Sequence, residues 1–336
     1  CHVGCHVWSL ALIACGACVG PEAVVRDWSQ PRGGGRRVVY PFSSMGDSLD
    51  VTFYGVRGST PCPCDDNRRY GGNTSCVVID IPGGEPILLD LGTGLRFYGV
   101  ANPCTEKPFR GTALLSHLHW DHVQGLPFFQ PLHCQGSRLD VHGPVEAGRS
   151  LEASFDTFMN PPFFPICIHD LPGEITFHDT SPGSFDVGPA RVTVREVPHV
   201  GATFGYRIDW GGVSVAYISD HQQPVDDPKR VAEAALELAD GVDLLIHDAQ
   251  FTPEEFAERS NWGHCTVDYA LEVAHQAAVA ELVLFHHDPA HCDGTIDQIL
   301  ATAVERAVDL DIGSVTAAME GRTVQLHPTA TSVTTS

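Results

Sequence analysis

The sequence predicts an α/β fold of α+β character: two β-sheets with helices on their outer sides, in one domain spanning residues 45–326. Three observations lead there. Short runs rich in Val, Ile, Leu and aromatic residues recur at strand length through the first half of the chain. From about residue 228 onward, helical patterns alternate with strand-like runs. No internal repeat and no Gly/Ser linker interrupts the stretch.

Taken in order, Leu49–Val56 (LDVTFYGV) is β-branched and aromatic, hence a strand, and a Gly/Pro/Cys/Asp loop follows it through Gly72. Thr74–Ile81 and Pro86–Leu91 read as a hairpin turned at Pro82-Gly83-Gly84. Gly92-Thr93-Gly94 opens a short helical stretch, and Gly111–Ser116 is a buried strand that runs straight into His117. Residues 123–188 read as loops with a single helix at Ala147–Phe158. Ala190–Val197, Thr203–Asp209 and Val213–Ser219 are three more strands. Pro228–Ala239 carries Ala and Leu at helical spacing. Strand Asp243–Ile246, helix Thr266–Ala278, strand Glu281–Phe285 and helix Thr295–Val308 then alternate. Ser314–Met319 and Thr323–Leu326 close the domain, and residues 327–336, rich in Thr and Ser, are expected to form a flexible tail.

A formal net charge of −22 repels phosphate-rich polymers and acidic membranes unless a local basic patch intervenes. Arg36–Arg37 and Arg68–Arg69 are only pairs. The twelve cysteines are scattered rather than arranged as a short disulfide framework, so reduced thiols and a cytoplasmic location are expected. Cys15 and Cys18, and Cys62-Pro-Cys64 with Cys76 nearby, lack the second pair that a zinc finger needs. The first methionine is Met45, and residues 1–44 are expected to be a poorly ordered leader. Val7–Val19 is apolar, but no Lys or Arg precedes it while Arg26, Arg32, Arg36 and Arg37 follow. That is the reverse of an export signal's charge order, which leaves export as the alternative reading. At this length the run is also too short to span a bilayer, which takes about 20 residues.

Eighteen histidines is a high count, and they cluster. His117-x-His119-x-Asp121-His122 offers four ligand-type side chains directly after a strand. Alternate residues of an extended segment point the same way, so His117 and His119 can share one ion, while Asp121 and His122 reach a second after the chain turns. Imidazole and carboxylate suit zinc-class cations.

H-x-H-x-D-H resembles the signature of the metallo-β-lactamase superfamily, whose four-layer αββα sandwich agrees with the two-sheet expectation. The resemblance implies further residues at strand ends. Asp90 (Leu89-Asp90-Leu91-Gly92) is similar to the acid that supports the metal loop, and His199 (Val197-Pro198-His199) to the third histidine of the first ion. Asp220 (Ile218-Ser219-Asp220) is similar to the bridging carboxylate, and His286 (Leu284-Phe285-His286) to the last ligand of the second ion. His287 is adjacent and competes for that role, though the strand's register favours His286. Within the superfamily, Ile246-His247-Asp248-Ala249 and Gly263-His264-Cys265-Thr266 resemble motifs of the phosphodiesterase branch that includes ribonuclease Z, with Cys265 where that branch has Ser. The resemblance covers about residues 49–290.

It implies a dinuclear hydrolase binding two divalent ions, zinc foremost, with manganese or iron as alternatives. The implied ligands are His117, His119, Asp121, His122, His199, Asp220 and His286. The implied catalytic residues are Asp121, His264 as general acid and Asp248 as its partner, serving a metal-bridging hydroxide. His264 as a mere cap of the following helix is the bland alternative. The substrate expected is a small, cyclic or nucleotide phosphodiester, with no membrane partner and a homodimer by analogy. Only twenty residues, Val200–Ser219, separate His199 from Asp220, leaving no room there for the basic arm with which ribonuclease Z grips transfer RNA; with the acidity, this argues against a structured transfer-RNA substrate. Competing readings are an ester, lactone or thioester hydrolase on the same fold and a non-catalytic sensor with a vestigial site. Phe128, Phe129, Phe155, Phe158, Phe163 and Phe164 are candidates to stack a base or hold an acyl chain, or else plain packing residues.

Overall fold

The structure, a computed structural model, describes residues 47–104 and 107–328. The expected leader, the Cys15/Cys18 pair and residues 329–336 of the expected tail lie outside them. In chain order the first six strands are β1 (Leu49–Gly55), β2 (Cys76–Asp80), β3 (Ile87–Leu89), β4 (Arg110–Leu114), β5 (Arg138–Gly143) and β6 (Glu174–Asp179). The remainder are β7 (Gly183–Val187), β8 (Ala190–Glu196), β9 (Phe204–Trp210), β10 (Val213–Ile218), β11 (Leu244–Asp248), β12 (Glu281–Phe285), β13 (Ser314–Ala317) and β14 (Thr323–Leu326). The helices are α1 (Leu95–Ala101), α2 (Trp120–Val123), α3 (Leu151–Phe158), α4 (Glu233–Ala239), α5 (Pro253–Arg259), α6 (Val267–Gln276) and α7 (Asp293–Asp309).

Two seven-stranded sheets result, ordered β14-β1-β2-β3-β4-β5-β6 and β13-β12-β11-β10-β9-β8-β7. Each is half antiparallel and half parallel: β3 to β6 run parallel in the first sheet, β10 to β13 in the second. The two-residue period of a strand decides what faces what. On β10, Val213, Val215 and Tyr217 enter the core between the sheets, while Ala216 and Ile218 face a second core under α4, α6 and α7. β11 and β12 repeat the pattern, with Ile246, Val283 and Phe285 inward and Leu245, Leu282 and Leu284 toward the helices. Each fully buried Val, Leu, Ile or Phe among them contributes about 1.5–3 kcal/mol. With α1 on β1 and α3 on β6, the layers are helix, sheet, sheet, helix. No helix among the described residues is long and apolar enough to cross a membrane.

Two expectations need correction. Residues 123–188 are not mostly loop, since they hold β5, β6 and β7 as well as α3. β5 (RLDVHG) buries only Leu139, Val141 and Gly143 between polar residues, and β6 and β7 are the outermost strands of their sheets. Such edge strands need no continuous apolar run, so composition hid them. The thiol expectation also fails at one place: Cys104 and Cys134 form a disulfide. Packing of α1 against the turns at 126–133 brings them together, which no local spacing signals. Cys62, Cys64 and Cys76 are free, and no potential metal-binding group among the described residues includes them.

Candidate metal centre

The seven candidate ligands and Asp90 all follow the carboxyl end of a strand: Asp90 after β3, residues 117–122 after β4, His199 after β8, Asp220 after β10 and His286 after β12. Asp248 ends β11, and His264 lies in the turn between α5 and α6. At β3, β4, β10, β11 and β12 a buried, largely apolar strand stops and a polar side chain is released where the ladder ends, whereas β8 alternates buried and more exposed residues. Asp90 and His286 both sit at φ 60°, a left-handed turn that costs a non-glycine residue roughly 1–2 kcal/mol. Strain of this kind collects at functional sites.

The seven candidate ligands converge. His117, His119 and His199 bring ligand atoms within 4.8 Å of one another, as do Asp121, His122 and His286. Asp220 lies between the two groups. Its Oδ2 is 3.8 Å from His117 Nε2, 3.7 Å from His199 Nε2 and 3.6 Å from His286 Nε2, and its Oδ1 is 3.3 Å from His122 Nε2. His287 turns away, its Nε2 donating to the Ala318 carbonyl at 3.0 Å.

The nitrogens opposite the cluster are occupied. His122 Nδ1 donates to Asp90 Oδ2 at 2.7 Å, and His117 Nδ1 to Ser116 Oγ at 2.9 Å, since that hydroxyl donates to Asp90. His199 Nδ1 donates to the Gly263 carbonyl at 2.5 Å and His286 Nδ1 to Gln250 Oε1 at 2.9 Å. Each bond fixes a tautomer whose Nε2 lone pair points into the cluster. His119 differs, presenting Nδ1, 3.2 Å from His199 Nε2. His122 Nε2 and His286 Nε2 face each other at 3.3 Å. Lone pairs so close repel unless a cation or proton separates them. His117 Nε2 and Asp220 Oδ1 are buried with no hydrogen-bond partner, which is costly unless an ion satisfies them. A mixed nitrogen and carboxylate set of this kind fits zinc-class divalent ions.

The electrostatics agree. Burial resists charge on His122, but Asp121, Asp220 and Asp90 outweigh it and raise its pKa, so without an ion this ring holds a proton that a bound cation would replace. Burial, then that charge, holds the His117 imidazole well below its ordinary pKa, and burial likewise lowers His119 and His199, so these three rings are neutral. Burial opposes charge on Asp121 and Asp220 too, but the surrounding imidazoles outweigh it and keep both ionised. Two glycines make room. A Cβ on Gly263 would stand 2.5 Å from the His199 ring, and one on Gly58 2.5 Å from that of His286.

Beside the ligands, His264 Nδ1 donates to Asp248 Oδ2 at 3.0 Å and lies 3.6 Å from Asp220 Oδ2. Asp248 also accepts from the backbone N–H groups of His221 and Gln250, each at 3.0 Å. Burial resists charge on His264, but Asp248 overcomes it and raises the pKa. The cap of α6 is Thr266, whose hydroxyl accepts from Tyr269 N–H, so His264 is free of that task. Cys265 is buried, its thiol donating to the Asp248 carbonyl at 3.0 Å. Sequence reasoning missed the supports: Ser116, Tyr217, whose hydroxyl donates to Asp90 at 2.7 Å, Ser59, whose N–H donates to Asp121 at 2.7 Å, Gln250 and Gly263. The one available hint was Gln250 two residues beyond Asp248.

Known proteins share this fold. The family model of the beta-lactamase superfamily domain matches residues 87–287. A ribonuclease Z from Synechococcus sp. (strain WH7803) is 26% identical, the match covering 76% of this chain and 91% of that one. Among solved structures, the metallo-beta-lactamase fold protein YhfI from Bacillus subtilis superposes with a TM-score of 0.61 at 19% identity, over 83% of this chain and all of that one. The short form of human tRNase Z gives 0.57 at 21% identity, covering 82% and 99%. With more than half its length under the family model and the same sandwich in its structural neighbours, the chain belongs to the beta-lactamase superfamily.

Proposed function

We propose that the chain is a dinuclear metal-dependent phosphodiesterase acting on small, cyclic or nucleotide phosphodiesters, with residues 45–326 as its catalytic domain. The observation that carries the reading is the His264–Asp248 pair set against Asp220, the carboxylate common to both ligand groups. Phosphodiester chemistry is also in the name of its ribonuclease Z relatives. His117, His119 and His199 would hold one ion, Asp121, His122 and His286 the other, with Asp220 between them. Zinc-class ions bound there would supply Lewis acidity and water activated near neutral pH.

The chain's own residues do the rest. Asp121 and Asp220 bring two negative charges against the four positive charges of two divalent ions, so the site attracts an anion although the protein as a whole is acidic. Asp248, itself held by two backbone N–H groups, anchors His264 through Nδ1. That leaves Nε2 to deliver a proton to the departing alkoxide, an assistance typically worth about 10²–10⁴-fold. Asp90, Gln250, Ser116 and the Gly263 carbonyl keep the imidazoles oriented.

The test is a leaving-group comparison on zinc-loaded protein. His264→Ala should slow a diester with an alkyl leaving group by about 10²–10⁴-fold. It should slow bis-p-nitrophenyl phosphate far less, because p-nitrophenolate departs without a proton. Equal losses on both would remove His264 from the acid role. Turnover of a lactone panel with none of phosphodiesters would overturn the reading in favour of a carbonyl hydrolase.

A further inference from the structure

Two of the candidate active-site histidines are followed or preceded closely by exposed indoles. Trp120 is 56% exposed and sits between His119 and Asp121; Trp262 is 58% exposed and lies two residues before His264. An exposed aromatic ring held next to candidate metal ligands offers a flat face on which a planar group can stack. The two indoles are tied to one group of imidazoles, because His119 touches His199 at 3.2 Å and His199 donates to the Gly263 carbonyl next to Trp262.

Trp262 is exposed yet held. Gln222 clamps its turn, with Nε2 donating to the Ser260 carbonyl at 2.9 Å and Oε1 accepting from Gly263 N–H at 2.8 Å. Trp262 N–H donates to the Arg259 carbonyl at 3.0 Å. The Arg259 guanidinium lies over the indole, 5.5 Å from its centroid, and is neutralised by Asp288 at 3.0 Å. A cation backs the ring, so its exposed surface remains for a ligand. Trp120 is braced in a different way, edge to face with Phe158 at 5.2 Å. Of the six phenylalanines considered from sequence, Phe129 and Phe155 are fully buried core residues, whereas Phe128 and Phe163 are 56% and 79% exposed.

We infer that Trp262, seconded by Trp120, is a stacking platform for a nucleobase-like heterocycle carried by the phosphodiester. The inference rests on the phosphodiesterase reading and adds its specificity. Separately braced flat rings suit a planar heterocycle; an acyl chain would call for a continuous aliphatic groove, and among the described residues only Val200 is an exposed large aliphatic residue next in sequence to a site histidine. Stacking of one base on an aromatic side chain is worth about 1–3 kcal/mol, roughly a 5- to 150-fold effect on binding.

The experiment compares three diesters sharing a p-nitrophenolate leaving group: thymidine 5′-(p-nitrophenyl) phosphate, methyl p-nitrophenyl phosphate and hexyl p-nitrophenyl phosphate. With zinc-loaded full chain, kcat/KM for the thymidine ester should exceed that for the methyl ester. The Trp262→Ala variant should lower that ratio by roughly 5- to 150-fold, with Trp262→Phe restoring part of it. A ratio near one in the wild type, or an unaltered ratio in Trp262→Ala, overturns the platform. A preference for the hexyl ester overturns it in favour of an acyl chain. If no diester is turned over, the phosphodiesterase reading has failed, and tryptophan fluorescence then judges the platform separately. Quenching by thymidine 5′-monophosphate that inorganic phosphate does not produce and Trp262→Ala abolishes would sustain it; absence of quenching would sink it.

Discussion

Asp90 touches none of the other candidate metal-site carboxylates, yet its replacement by Asn should weaken metal binding. Its two oxygens accept from Ser116 N–H (2.7 Å), the Ser116 hydroxyl (2.9 and 3.0 Å), the Tyr217 hydroxyl (2.7 Å) and His122 Nδ1 (2.7 Å). All the partners are donors, and the site is fully buried. An amide keeps the shape but turns one oxygen into a donor. With the remaining oxygen on Ser116, the new NH₂ faces His122 Nδ1 and the Tyr217 hydroxyl. His122 then relieves the clash by giving up the Nδ1 proton and keeping one on Nε2, the atom that faces Asp121 and His286. Metal binding must reverse that tautomer against a hydrogen bond. Loss of an outer partner to a ligating histidine typically costs about 10- to 100-fold in affinity, or roughly 1.4–2.7 kcal/mol. Zinc titration of the apoprotein against a chromophoric chelator measures this directly. One of two zinc equivalents should weaken by that factor, and the apoprotein should lose about 1–3 kcal/mol from unsatisfied donors. Unaltered zinc affinity in a folded Asp90→Asn protein would refute the tautomer argument.

Three further outcomes are expected. Gly263→Ala combines φ +96° with a Cβ 2.5 Å from the His199 ring, so it should lose zinc at the His117/His119/His199 group; Gly83→Ala, at φ +75° with nothing within 4 Å, shares the backbone strain and should keep full zinc stoichiometry. Chelation with EDTA should lower the melting temperature, because ions present at 1,000 times their Kd stabilise by about 4 kcal/mol, which is roughly 10 °C for a domain of this size; an identical melt with and without chelator would contradict the fit of the ligand set. The third concerns acid stability away from the site. Burial, then the neighbouring His178, lowers the His142 pKa to about 4, its ring stacked between those of His178 and Phe185 at 4.2 and 4.6 Å. The unfolded chain therefore binds more protons than the folded one between about pH 6.5 and 4, so this stability is complete above pH 6.5 and lost as pH falls through 4. Partial exposure reduces the effect to the order of 1 kcal/mol. His142→Phe should flatten that slope in urea denaturation at pH 7 and 4.5, and parallel slopes would exclude His142 as its source.

What could be read in the sequence was what the chain writes locally. Tyr217-Ile218-Ser219-Asp220 and Leu284-Phe285-His286 show an apolar strand ending on a polar residue, and the geometry places both residues against the 117–122 cluster. The central strands were legible because both of their faces are buried and the apolar run is continuous, as in β10 and β12. β5 to β7 were not, since β5 buries only alternate residues and β6 and β7, outermost in their sheets, bury none fully. The supporting residues were the least legible. Ser59 reaches Asp121 across 62 positions and Tyr217 reaches Asp90 across 127, and neither Ser in a Gly-Ser-Thr loop nor Tyr in a strand carries a mark of that contact.

The same distances explain why the site is built at strand ends. The candidate ligands that follow β4, β8, β10 and β12 belong to two different sheets, so their mutual placement depends on the core between those sheets. Tyr217 makes this connection concrete: its ring packs with Phe285 at 5.6 Å inside the core, while its hydroxyl holds Asp90, which in turn orients His122. A side chain that is core at one end and metal support at the other couples packing to chemistry. Loosening the inter-sheet core near Phe285 would therefore shift the β12 ligand His286 against the β4 ligand His122, whose nitrogens stand 3.3 Å apart. Tolerance there is small because Asp220 stands 3.3–3.8 Å from His117, His122, His199 and His286 at once. Trp120, first residue of α2 between His119 and Asp121, and Trp262, beside the Gly263 carbonyl that holds His199, share this constraint in their backbone, so substrate preference is free to vary there through the exposed side chains while the metal geometry is kept.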